Sequence, residues 1–150
     1  MKKIIFLLYF GVTSCSNINN HDKEVDKSNI DSIEYFKKRV INIGDTMAYN
    51  KVSLHYTFNL APWPLLFYSQ TMCNKYKYPF ACYDCYLIYS EKYSGENLKA
   101  NDSLSKKFGI YYLLKAKEMG YKEAQDELKD IFQNSKIPTA NDYLKSHISE

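Results

Sequence analysis

Phe108-Gly109-Ile110-Tyr111-Tyr112-Leu113-Leu114-Lys115-Ala116-Lys117-Glu118-Met119-Gly120-Tyr121-Lys122-Glu123-Ala124-Gln125-Asp126-Glu127-Leu128-Lys129-Asp130-Ile131-Phe132 is the stretch whose reading decides the fold. A helix running to Glu118 meets Met119-Gly120-Tyr121 and restarts at Lys122. Glycine suits the left-handed position that closes a helix, and Ala124, Leu128, Ile131 and Phe132 then recur at helical spacing. The stretch therefore reads as two helices folded back on each other.

The pattern of turn residue, three residues, then alanine occurs twice more upstream, as self-similarity in a repeat array requires. Lys77-Tyr78-Pro79-Phe80-Ala81 precedes Gly120-Tyr121-Lys122-Glu123-Ala124 by 43 residues, with Cys85, Ile88 and Tyr89 in step with Leu128, Ile131 and Phe132. Gly44-Asp45-Thr46-Met47-Ala48 lies a further 33 residues upstream, with Val52 and Tyr56 matching Leu128 and Phe132. These periods bracket those of helical solenoids.

Asp102, Lys106, Tyr111-Tyr112, Lys115-Ala116, Glu118, Gly120, Ala124-Gln125 and Leu128 together resemble the Sel1-like branch of the tetratricopeptide repeats. The resemblance is best over 102–132, weaker over 65–89, where Lys77 replaces the family's glycine, and weakest over 33–56, where His55 replaces an apolar residue. It implies an all-α fold, a short α-solenoid of about three irregular helix-turn-helix repeats that binds protein and carries no catalytic machinery.

The amino terminus reads differently. Met1-Lys2-Lys3 is positive, Ile4 to Val12 is mostly apolar, and Thr13-Ser14-Cys15 places small residues before a cysteine, the layout of a secretion signal. The apolar run falls short of the roughly 20 residues that span a hydrocarbon core. The arrangement resembles a bacterial lipoprotein signal, which implies cleavage of residues 1–14 and a lipid on Cys15. Ordinary secretion with Cys15 incidental is the alternative. Residues 15–29 are polar with only Ile18 and Val25 to bury, the composition of a tether, and 30–150 is the expected folded domain. The expected location is the envelope, lipid-anchored in the outer membrane and facing the periplasm.

Loss of Lys2 and Lys3 with the signal leaves 18 basic and 17 acidic residues. That near-neutrality, with Arg39 as the single arginine, argues against a nucleic-acid partner. Within the domain, Gly44 should stop the first helix, Asp45 or Thr46 cap the second, Pro64 and Pro79 sit in the first turns of the third and fourth, and Ser94–Asn97 end the fourth. A short helix from Ala140 to Ile148 should close the array. Residues 82–89 are rich in strand formers, but Ala81, Cys85, Ile88 and Tyr89 keep helical spacing.

Chemistry is sparse. Cys82-Tyr83-Asp84-Cys85 falls inside an expected helix rather than at a helix start after a strand, so a redox motif is disfavoured. A zinc site needs about four ligands, and His21, His55 and His147 have no spacing that pairs with Cys73, Cys82 and Cys85. Cys85 reads as a buried small hydrophobe, with Cys73 and Cys82 meeting across a hairpin, free or as a disulfide. Glu123 with Glu127, and Asp126 with Asp130, read as a solvated helix face, and His55 as an interior histidine. No catalytic residue, metal site or cofactor is expected; a cell-wall-acting enzyme is the remote alternative.

Tyrosine rises above background: there are 15, concentrated in the middle repeat. Tyrosine and tryptophan bury large area yet keep a polar handle, which suits a surface that is wet when free and dry when bound. Trp63, Tyr76, Tyr83 and Tyr86 are the candidate partner-binding residues, although core filling explains tyrosines equally well. The expected partner is a protein in the envelope: most simply a secreted antibacterial effector that this chain neutralises as an immunity protein, or else the components of a secretion machine that it helps to assemble.

Overall fold

The computed structural model describes residues 32–92, 103–133 and 135–147. The chain divides into two units, residues 1–31 and 32–150, and only the second contains described residues. The signal, Cys15, the tether, Ser94–Asn97 and Ile148 therefore lie outside the described residues.

Every regular element among the described residues is a helix. In chain order they are α1 (32–43), α2 (Thr46–Phe58), α3 (Trp63–Asn74), α4 (Pro79–Tyr89), α5 (Ser103–Glu118), α6 (Lys122–Phe132) and α7 (Ala140–His147). Packing runs between neighbours, α2 on α3, α3 on α4, α4 on α5 and α5 on α6, while α7 returns onto α5. The seam between α4 and α5 is the most extensive. Gly109 permits it: a Cβ there would stand 3.4 Å from that of Tyr89. Tyr89 stacks on both Phe108 and Tyr112 across the same seam.

Three turns set the geometry. Gly44, Lys77 and Gly120 have φ of 67°, 56° and 86°, and each lies four residues before a buried alanine, Ala48, Ala81 or Ala124. Each alanine is the third residue of its helix, α2, α4 or α6. Positive φ reverses the chain, and the small side chain then lets the returning helix close on its neighbours. After Gly120 the backbone closes as a Schellman motif, with Tyr121 N–H donating to the Ala116 carbonyl at 3.0 Å and Gly120 N–H to that of Lys117 at 2.9 Å. Lys77 takes the same conformation without being glycine and donates its ammonium to the Asn74 carbonyl at 2.7 Å.

The other helix ends follow the same chemistry. Leu60 and Glu91, at φ 51° and 57°, close α2 and α4. The fourth helix thus stops at Tyr89, before the expected Ser94–Asn97. Pro79 opens α4 as its first residue and Pro64 is the second of α3, where the missing N–H costs nothing.

A disulfide joins Cys73 on α3 to Cys82 on α4, their Cα atoms 4.8 Å apart, and Cys85 is a free, buried thiol whose pKa burial pushes up, with the nearby Asp84 charge adding to it. Two expectations need correction. His55 is exposed, beside the ring of Tyr56, because it lies at the edge of the stripe of α2 that buries Ala48, Tyr49, Val52 and Ser53. Ile131 is 42% exposed although its counterpart Ile88 is buried: α6 packs mainly on α5, whereas α4 lies between α3 and α5.

Candidate functional site

The position directly after each left-handed residue is the N-cap of the next helix, held extended at Asp45, Tyr78 and Tyr121 (ψ 111°, 111° and 116°). Asp45 uses it conventionally: its carboxylate accepts from the Ala48 N–H at 3.0 Å and from Arg39 Nε at 2.6 Å, bonds that hold its pKa below the usual aspartate value. Tyr78 and Tyr121 make no side-chain cap. An N-cap without Ser, Thr, Asp or Asn forgoes about 1 kcal/mol of helix stability. Both rings instead line a groove.

That groove encloses about 490 Å3 between Asn50, Ser53 and Leu54 of α2, Tyr78 and Phe80 at the start of α4, and Tyr121 before α6. Its aromatic walls are continuous. Tyr78 and Phe80 pack edge-on at 6.1 Å, Phe80 meets Tyr121 at 6.1 Å, and Tyr121 meets Tyr83 at 5.0 Å. Tyr49 supports Tyr78 and Phe80 from beneath at 5.7 and 6.3 Å.

A buried polar cluster underlies these rings. Asp84, with no solvent exposure, accepts from the Tyr49 hydroxyl at 2.6 Å and from Ser53 Oγ at 3.0 Å, and the Tyr49 and Ser69 hydroxyls are 2.8 Å apart. Burial, then the Asp84 charge, pushes the Tyr49 pKa far above its ordinary value. The cluster ties α2, α3 and α4 together directly behind Ser53, so the groove wall is rigid where a ligand would press on it. Tyr121 feels burial first, then the charges of Glu123 and Asp84, and its pKa is raised.

Beyond Tyr121 the wall continues to α6. Tyr83 and Tyr86, 5.8 Å apart, both donate to Glu127, Tyr83 to Oε1 at 3.0 Å and Tyr86 to Oε2 at 2.5 Å, and Lys92 pairs with Oε2. The expectation that Glu127 belongs to a solvated face is thereby corrected: it anchors α6 to α4. The four sequence-chosen residues separate. Tyr83 adjoins the groove and Tyr86 stands behind it with 6% exposure. Tyr76 joins α3 to α1, its ring against Gly44 and its hydroxyl donating to the Ile41 carbonyl at 2.7 Å. Trp63 is 53% exposed at the far end of α3, edge-on to Tyr89. Sequence reasoning missed Tyr78, Phe80 and Tyr121 as a group. The available signal was tyrosine in a position where the equivalent Asp45 caps.

Among the described residues no three His, Cys, Asp or Glu side chains gather to hold a metal, and no helix is long and apolar enough to cross a membrane. No protein-family model, curated protein or solved structure matches the chain.

Proposed function

We propose that this chain is a lipid-anchored envelope protein whose Sel1-like helical repeats grip one protein partner in the Tyr78–Phe80–Tyr121 groove, without performing chemistry. The observation that carries the reading is the surrender of two N-caps to tyrosine. Both rings are placed against the groove where a capping side chain would have given more helix stability, and local rules are typically broken where a site must be made. The threefold turn-and-alanine geometry supports the repeat assignment, including at Lys77, where the sequence departs from it. A groove of about 490 Å3 suits one insertion from one partner, which favours an immunity protein blocking an antibacterial effector over an assembly factor with several partners.

The test is recovery of partners by the full-length chain from its own envelope and secreted proteins, compared with Tyr121→Asp. One stoichiometric partner, toxic when expressed alone and lost with the variant, is the expected result. Several components of one envelope machine would favour the assembly role. Turnover of peptidoglycan by the purified chain would overturn the non-enzymatic reading.

A further inference from the structure

Large apolar side chains collect at the end of the helices opposite the three turns. Phe58 and Leu60 close α2 at 82% and 76% exposure, Trp63 opens α3 at 53%, and Leu104 opens α5 at 49%. Contacts place these helix ends together: Trp63 lies 6.5 Å from Tyr89 at the end of α4, which stacks on Phe108 one turn into α5. The start of α1 is there as well. Lys37, early in α1, sits 5.3 Å from the ring of Tyr56 in the last turn of α2, so the two helices are antiparallel. The described domain therefore begins, at residue 32, at its apolar end.

We infer that this end, led by Phe58, Leu60 and Trp63, docks into the surface of the lipid bilayer to which Cys15 tethers the chain. The inference rests on the lipid-anchor reading. Three observations select lipid as the occupant. Residues 16–31 reach at most about 55 Å even fully extended, so an anchor at Cys15 holds residue 32, at the apolar end, within that distance of the membrane. Tryptophan and phenylalanine are the side chains favoured at the headgroup level. Charge is permissive as well: residues 46–83 contain no aspartate or glutamate, Lys106 and Lys107 follow Leu104, Glu34 near the start of α1 is paired with Lys37, and Glu91 after α4 is followed directly by Lys92. Pro62 and Pro64 fix the connection, so little order is lost on insertion. The groove, at the turn end, is left facing away from the bilayer.

Trp63 is the only tryptophan and reports directly. The full-length lipidated chain is reconstituted into phosphatidylethanolamine–phosphatidylglycerol vesicles, with and without brominated acyl chains, and flotation is measured alongside emission. Blue-shifted emission quenched by the brominated lipid is expected, with both effects lost in Phe58→Ser/Leu60→Ser while that variant still floats. Flotation with Trp63 open to an aqueous quencher and untouched by bromine would overturn the docking but keep the anchor. A chain that does not float overturns the anchor and this inference together. Trp63 shielded only in a sedimenting dimer, or only on adding a purified protein partner, would assign the surface to that occupant and overturn the inference.

Discussion

Lys77 and Gly120 share one backbone conformation, φ 56° and 86°, each four residues ahead of an alanine with no solvent exposure. The left-handed state costs an ordinary L-residue about 1 kcal/mol, and glycine almost nothing. Gly120 has open space around a would-be Cβ, so Gly120→Ala should lose about 1 kcal/mol through conformation alone. Lys77→Gly should gain up to about 1 kcal/mol, less what the Asn74 contact supplies. Urea unfolding midpoints of the two variants, moving in opposite directions, check this.

Gly44 carries a second constraint. A Cβ there would stand 2.3 Å from the Tyr76 ring, which is held by the Ile41 carbonyl and cannot retreat freely. Gly44→Ala should therefore cost about 2–4 kcal/mol, clearly more than Gly120→Ala. Combining it with Tyr76→Ala should cost less than the sum of the single changes, since the clash is removed.

Tyr121→Asp exchanges ring for cap. The new carboxylate gains about 1 kcal/mol at the start of α6, and the lost contacts with Phe80 and Tyr83 cost about as much. Net stability should stay within about 1 kcal/mol of the parent by thermal unfolding. Partner binding should fall at least tenfold, a loss of about 1.4 kcal/mol or more by titration.

How much of this was legible beforehand follows from what each feature depends on. Helical spacing, the prolines and the alanines are local, and α2 to α7 could be placed from them; even residues 82–89, rich in strand formers, gave way to the positions of Ala81 and Cys85. The meeting of Cys73 and Cys82 was foreseen with the disulfide left open, because bonding depends on a distance between helices. The groove was not legible. It is made by rings 78, 80 and 121, brought together only by the packing of helices; tyrosine at 78 and 121, where Asp45 caps, marks the positions but does not say which surface their rings line. His55 was misplaced because α2 keeps one buried face, and helical periodicity without a neighbour's position does not say which.

Reduction of Cys73–Cys82 tests the α3–α4 link. Releasing a loop of nine residues' separation should cost roughly 2–3 kcal/mol on chain-entropy grounds. Unfolding midpoints with and without reductant give the value, and Cys85 should resist thiol labelling until the domain opens, being buried with its pKa raised.

Acid should act through Glu127. Burial works to raise its pKa, but Lys92 and the Tyr86 and Tyr83 hydroxyls more than offset it and hold the group below the usual glutamate value. The unfolded chain then takes up the proton first on acidification. The stabilisation is complete above about pH 4.3 and is lost as pH falls through the lower folded-state value. Glu127→Gln should lower the unfolding midpoint at pH 6, with the gap to the parent narrowing towards pH 3.

Helix α7 packs onto α5, and the Glu118 carboxylate at the end of α5 accepts from the Ala140 N–H at 2.7 Å. The surface of α5 that α7 covers is thereby closed to further hairpins. Any other element packing on that surface would have to displace α7 and forgo the bond between Ala140 and Glu118, so the last helix shields the face of α5 it covers.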